Sequence, residues 1–242
     1  MKKNKTCLFF YAMAFMVALV SAANPVPRAE VKKVASGLHW LGNGSAAFRI
    51  LWRGITIYID PYILDKNDKA DLILITHDHP DHLSLPDLRK IATPQTVVLA
   101  PASCRHTLQS LPVKEILAMK PGLLRKFRGV AIMAVPAYNV KKSFHPKEQG
   151  GLGYVMDLAG VKIYHVGDSE LIPEMKSISC AILLTPLGQD FTMNSVEDVA
   201  QLARQVKASI VIPMHWGFYE GSRQDAEKLQ RLLRGQADVI IQ

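Results

Sequence analysis

Six residues constrain this chain more than any others. His77-Asp78-His79-Pro80-Asp81-His82 directly follows the apolar run Asp71-Leu72-Ile73-Leu74-Ile75-Thr76. That run reads as a buried β-strand, so the chain leaves a sheet and at once presents groups that bind zinc or a similar divalent ion. In a strand-end loop His77 and His79 point to one side while Asp81 and His82 reach around to another, which suits two neighbouring metals better than one. With only 8 His in 242 residues, the spacing is too dense to be an ordinary chance match. The bland alternative is a polar surface loop whose histidines merely titrate.

Residues 1–23 are set aside before the fold is considered. Lys2, Lys3 and Lys5 form a basic start, Cys7 to Val20 is an uninterrupted apolar run, and Ser21-Ala22-Ala23 supplies small residues suited to signal-peptidase cleavage. The run is short for a bilayer span, which needs roughly 17–25 residues. A cleaved signal peptide is therefore expected, with an exported protein, periplasmic or secreted in a bacterium, and no membrane association beyond the leader. Residues 24–242 then form one domain, long enough for a substantial core. A hydrophobic content of 49% excludes disorder as the main state. Without the three leader lysines the net charge falls from +8 to +5. The basic residues are scattered (Lys32-Lys33, Arg125-Lys126-Arg128, Lys141-Lys142), so nucleic acid is not an expected partner. Cys104 and Cys180 remain after export; an oxidising compartment permits a bridge, but their contexts differ and separate buried thiols are favoured.

The rest of the chain is strand-rich. Segments 38–41, 46–51 and 55–59 are short and apolar with turn residues between them, as in an antiparallel meander. Further strands are expected at 71–76, 96–100, 130–136, 153–158, 161–166, 180–184, 209–213 and 239–241. Helices are expected at 85–91, 102–110, 195–207 and 225–233, the third capped by Ser195. Two strand-rich halves, each with its helices, point to an α/β protein built as an αβ/βα sandwich.

Four more polar residues stand at the ends of these strands: Asp60 after 55–59, Asn139 after Pro136-Ala137-Tyr138, Asp168 after 161–166, and His215 after Pro213-Met214. With His77-x-His79-x-Asp81-His82 they make a series able to converge at one rim. On these residues, from Trp40-Leu41-Gly42 to Met214-His215-Trp216-Gly217, the chain resembles the metallo-β-lactamase superfamily of metal-dependent hydrolases. The likeness is closer to its L-ascorbate-6-phosphate-lactonase-like branch. The resemblance implies the four-layered αβ/βα fold and a mono- or dinuclear metal site between two sheets. It implies His77 and His79 as ligands of a first ion, Asp81, His82 and His215 as ligands of a second, and Asp168 as the carboxylate bridging both. It implies for Asp60 a supporting role, holding the histidine loop rather than touching metal; the alternative is a turn residue before Pro61.

One position departs from the family pattern. Asn139 stands where a third histidine for the first ion is usual, and its neutral amide oxygen is a weaker zinc ligand than imidazole. His145, six residues on, either supplies that nitrogen, contacts substrate, or lies at the surface. The first site is then weak, exchangeable or selective for a harder ion such as Mn²⁺. His39 and His165 lie within apolar strands and read as structural. Tyr138, Trp216 and Tyr219 flank the ligand positions and either line the pocket or pack.

The expected function is a metal-dependent hydrolase using one or two Zn²⁺, or Mn²⁺. Bound cations lower the pKa of water from 15.7 toward about 7, and the resulting metal-bound hydroxide attacks an ester, lactone, amide or phosphoester. Asp81 and Asp168 are the catalytic carboxylates. The substrate is a small molecule, and the cations favour an anionic one. The competing readings are a periplasmic β-lactamase, a redox or sulfur-processing member of the fold, and a non-catalytic metal-binding protein. Neither the substrate nor the oligomeric state is legible in the sequence.

Overall fold

The computed structural model describes residues 26–42, 44–65 and 68–242; the expected signal peptide, its cleavage site and Asn43 lie outside the described residues. Among the described residues no helix is long and apolar enough to cross a membrane.

Among the described residues thirteen strands form two sheets. The first runs β1 (Leu38–Trp40), β2 (Phe48–Trp52), β3 (Ile55–Ile59), β4 (Leu72–Leu74), β5 (Val97–Pro101), β6 (Glu115–Met119) in spatial order. β1 to β3 are the expected antiparallel meander, and β3 to β6 are parallel. The second sheet contains β7 (Leu124–Phe127), β8 (Val130–Pro136), β9 (Leu152–Leu158), β10 (Val161–His165), β11 (Ile182–Pro186), β12 (Ile210–Met214) and β13 (Asp238–Val239), again in spatial order. β7 to β10 are antiparallel, and β10 to β13 parallel.

Period-two alternation makes the layers. Leu72 and Leu74 of β4 face the other sheet and join Ile182 and Leu184 of β11 and Ile210 and Ile212 of β12 in one central core. Ile73 faces outward under α2 (Leu85–Ile91) and α3 (Arg105–Leu108), with Leu88, Ile91 and Leu108. Leu183 and Val211 face outward under α4 (Val196–Gln205) and α5 (Arg223–Leu232). Strands apolar on both faces are what a sheet covered on both sides requires. The result is the expected αβ/βα sandwich.

α4 starts as the sequence implies, with the Ser195 hydroxyl accepting from Asp198 N at 3.1 Å. Three elements were not foreseen: α1 (Arg28–Ala35), which lacks a side-chain cap, and the edge strands β6 and β7. The helix expected over 102–110 is a 3₁₀ turn, Ala102–Cys104, running into the short α3. Cys104 and Cys180 are both free and buried, in different outer layers, so no bridge joins them.

Parallel strands align their carboxyl ends, and ligands in such sheets gather beyond those ends. Here β3, β4, β10 and β12 end at Asp60, the His77 loop, Asp168 and His215. Backbone bonds stitch the sheets together at this rim, Leu152 N to Thr76 O at 2.9 Å and His215 N to Ser45 O at 3.1 Å.

Candidate metal centre

The centre begins with Asp60, whose buried carboxylate faces the first residue beyond β4. It accepts from Thr76 N at 2.8 Å and Thr76 Oγ1 at 2.6 Å, and from His82 Nδ1 at 2.8 Å. Thr76 Oγ1 also lies 3.0 Å from His77 Nδ1. Because Thr76 gives its proton to Asp60, it accepts one from His77. Both imidazoles thus donate from Nδ1, which turns Nε2 toward the cleft, the orientation in which an outer carboxylate presents a histidine to metal. Asp60 therefore contacts the histidine loop at Thr76 and His82.

On the far side of the cleft His215 has the same arrangement with a different partner. Its Nδ1 donates to Glu220 Oε1 at 2.7 Å. Glu220 is itself buried, accepting from Thr192 Oγ1 at 2.8 Å and from the amides of Asp190 at 3.0 Å and Phe191 at 2.7 Å. His215 Nε2 points at Asp168 Oδ2, 3.3 Å away, and Asp81 Oδ2, 3.7 Å away. His82 Nε2 is 3.3 Å from the same Asp168 oxygen and 3.5 Å from Asp81 Oδ2.

Asp168 lies between this group and a second one. Its Oδ2 is 3.5 Å from His145 Nε2, which in turn is 3.0 Å from His79 Nδ1. Asn139 stands beside His145 but its amide is occupied: Nδ2 donates to Phe191 O at 2.7 Å, and Oδ1 accepts from Glu170 N at 2.9 Å. The loop carrying His145 is pinned by Glu170, a buried carboxylate accepting from the amides of Val140, Lys141 and Lys142 at 3.0–3.1 Å.

All seven candidate donors other than Asn139 thus meet at one place. They form three overlapping groups, His77–His79–His145, His77–His82–Asp168 and Asp81–His82–His215, with donor atoms within 4.8 Å of one another in each. A cavity of about 10 Å³, the size of one water, adjoins His77, His145 and Asp168. A larger hollow of about 490 Å³ lies at the opposite end of β12, against Ile210, and touches none of these donors.

Two observations test whether divalent ions fit. First, His77 Nε2, His82 Nε2, His215 Nε2 and Asp168 Oδ1 are buried with no hydrogen-bond partner. An orphaned buried polar atom costs roughly 1–3 kcal/mol, so four at one point are stable only with a shared partner. Second, tetrahedral coordination with bonds of about 2.0–2.1 Å has edges of roughly 3.3 Å. The carboxylate-to-imidazole spacings of 3.3, 3.3, 3.5, 3.5 and 3.7 Å match that edge. The donor set fits.

Backbone and charge carry the marks of a built site. Asp60, His145 and His215 adopt positive φ (45°, 54° and 53°), a conformation that costs a non-glycine residue of order 1–3 kcal/mol and clusters at functional sites. Burial pushes the Asp168 carboxyl up, but the imidazoles of His215, His82 and His77 outweigh it and hold the group well below the carboxylate range. Asp81 is likewise lowered against its burial, by His215 and His82. Burial lowers His215, yet the Asp168 charge and the bonds to Asp81 and Glu220 push it up to about 10. For His77 burial and the His82 charge act together and lower it.

Glu220 and Glu170 were not legible in the sequence as site residues. Each follows a proposed ligand by two to five residues, a spacing shared by many solvated glutamates. His165 is buried and structural, its Nε2 donating to Ala46 O at 2.9 Å. Trp216 packs on Trp40 with ring centres 5.4 Å apart, and Tyr138 bonds Glu174, so neither turns its polar group to the cluster.

A family profile described as Beta-lactamase superfamily domain matches residues 37–215. A UPF0173 metal-dependent hydrolase of Thermococcus onnurineus is 32% identical over 213 residues, which cover 82% of this chain and 93% of that protein. A solved structure described as a metal-dependent hydrolase from Parabacteroides distasonis superposes with a TM-score of 0.74 at 29% identity, covering 85% of this chain and 91% of the other. The metallo hydrolase Igni18 of Ignicoccus hospitalis, 24% identical over 85% of this chain and 94% of its own, shares the fold with a TM-score of 0.69.

Proposed function

The chain belongs to the beta-lactamase superfamily and is a metal-dependent hydrolase, and from that premise we propose that it cleaves an ester, lactone, amide or phosphoester bond of a small molecule at a two-cation centre. His77, His79 and His145 would hold one ion, and Asp81, His82 and His215 the other, with Asp168 within reach of both groups. The observation that carries it is the gathering of four buried, partnerless donor atoms into two overlapping groups. Five imidazoles and two carboxylates favour zinc over the harder ions. Export of the protein is supported by the composition of residues 1–23.

Bound cations supply the acidity that makes water nucleophilic near neutral pH and the positive charge that stabilises a developing oxyanion. The chain's own residues do the rest. Asp60, directly at His82 and through Thr76 at His77, and Glu220 at His215 fix the ring orientations, so that each imidazole turns Nε2 to the cleft without rearrangement. Asp81 and Asp168 are ionised and need shed no proton to serve as ligands. Neither Ser84 nor Ser169 competes as nucleophile: Ser84 Oγ donates to Asp87 at 2.6 Å, and Ser169 Oγ is engaged by the carbonyls of Tyr138 and Glu170.

The test is metal content and turnover measured together on wild type, His79→Ala and His215→Gly. Wild type should carry about two equivalents of zinc and each variant about one or fewer, with turnover over a panel of esters, lactones, amides and phosphoesters reduced at least 100-fold. Undiminished turnover by protein stripped of metal would refute the proposal.

A further inference from the structure

Exposed apolar side chains are concentrated on one side of this molecule. Of the seven large apolar residues that remain exposed among the described residues, four lie on the loops that carry His145 and His215, and a fifth on the loop that follows Asp60. Ile63 follows Asp60, Val140 and Phe144 lie between Asn139 and His145, and Phe218 and Tyr219 lie between His215 and Glu220. Phe218 is 72% exposed. A single exposed apolar residue is ordinary, but a connected group of them marks a binding surface.

The rings form two pairs, one beside His145 and one beside His215, joined through the Phe191 amide and the Glu220 carboxylate. Phe144 meets Phe191 edge-to-face with centres 4.9 Å apart, and lies 6.5 Å from the His145 ring. Phe191 is tied through its amide to Glu220, the neighbour of Tyr219. Tyr219 packs edge-to-face on Phe218 at 4.7 Å, and its hydroxyl is 3.4 Å from that of Tyr62, across on the Asp60 loop. The shelf is held in place as well as exposed. A Cβ at Gly44 would overlap that of Phe218, so glycine there lets the His215 loop settle against the first sheet. The segment 216–219 carries no charge. On the facing loop Lys142 is turned inward, its Nζ bonded to Thr192 O, Met193 O and Asn194 Oδ1.

We infer that this aromatic shelf beside the metal donors binds the apolar part of the substrate, which is a small molecule whose hydrolysable group is attached to an aryl or medium-chain acyl group. The inference rests on the hydrolase reading for what happens to that group, but not for its seat. A shelf fixed before binding spends little entropy on ordering. Each fully covered methylene is worth about fourfold in affinity, so a half-covered six-carbon acyl chain should gain roughly tenfold over acetyl.

The experiment uses the zinc-loaded protein and separates seat from chemistry. Calorimetric titration with acetate, hexanoate and 3-phenylpropionate reads the seat; release of acid from the three methyl esters reads the chemistry. Hexanoate and 3-phenylpropionate should bind about tenfold tighter than acetate. In a Phe144→Ser/Phe218→Ser variant that advantage should fall below about threefold, with zinc content and acetate affinity unchanged. Equal affinity for the three acids, or an advantage that survives the double variant, overturns the inference. A wild-type dimer that dissociates in the double variant, seen by sedimentation, overturns it too, because the shelf would then face a second copy. Chain-length preference in binding without turnover of any ester supports the shelf while counting against ester hydrolysis.

Discussion

At the scale of single residues, Glu220 decides how firmly His215 is presented. Its two oxygens accept four hydrogen bonds from His215, Thr192 and two backbone amides. Burial alone would raise its pKa, yet the His215 imidazole keeps it lowered. The space it fills exists because residue 188 is glycine: a Cβ there would overlap the Glu220 carboxyl group. Glu220→Gln exchanges one acceptor for an amide that faces other donors. It should weaken zinc binding by roughly 10–100-fold, the usual cost of removing an outer partner of a metal-bound histidine. Gly188→Ala should reproduce the loss without changing any charge, by displacing the same carboxylate. Competition with a chelator measures both, and unchanged zinc affinity in either variant would show that Glu220 only fills space.

At the scale of elements, what could be read in advance followed the strength of the pattern. β3, α2 and β8 begin and end at the expected residues, because apolar alternation and capping agree there. β6 and β7 were missed because edge strands are wetted, and Glu115, Leu124 and Lys126 are all exposed. α1 was missed because it begins after Pro27 with no capping side chain. The same contrast holds at the metal centre. The histidines after β4 are dense enough to stand out, whereas Glu170 and Glu220 acquire their roles only when distant loops close over them. His145 was one of three open alternatives, and the structure places it with His77 and His79. A capped element away from the centre should behave independently of it. Ser195→Ala at the start of α4 should cost about 1 kcal/mol and lower the melting temperature by about 2–4 °C, leaving zinc content unaltered. A fall in zinc content in that variant would show that α4 and the rim are coupled.

At the scale of the whole molecule, protons and metal ions compete for one set of donors. Without metal, His215 is raised to about 10, and His82, although burial opposes it, is raised by Asp168 and Asp60. In the unfolded chain both titrate near 6.5. For His215 the raised folded-state pKa gives stability that is complete below about 6.5 and is lost as pH rises through about 10, and His82 contributes in the same direction. The melting temperature of zinc-stripped protein should therefore fall between pH 6.5 and pH 10, while that of the loaded protein changes less. Zinc uptake at pH 7.5 should release protons, among them the one that His215 holds in the metal-free protein. Calorimetry in buffers of different ionisation heat reads that release, and uptake without proton release would contradict the picture. The donors themselves are shared between the two sheets. His77 to His82 come from the first, and His145, Asp168 and His215 come from or follow the second, so neither is a complete chelator. An emerging polypeptide thus offers a passing ion only a loose handhold until its last strands dock. In the proposed two-cation reading, selection among cations would then fall to the finished architecture, because only there do both sheets present their donors together.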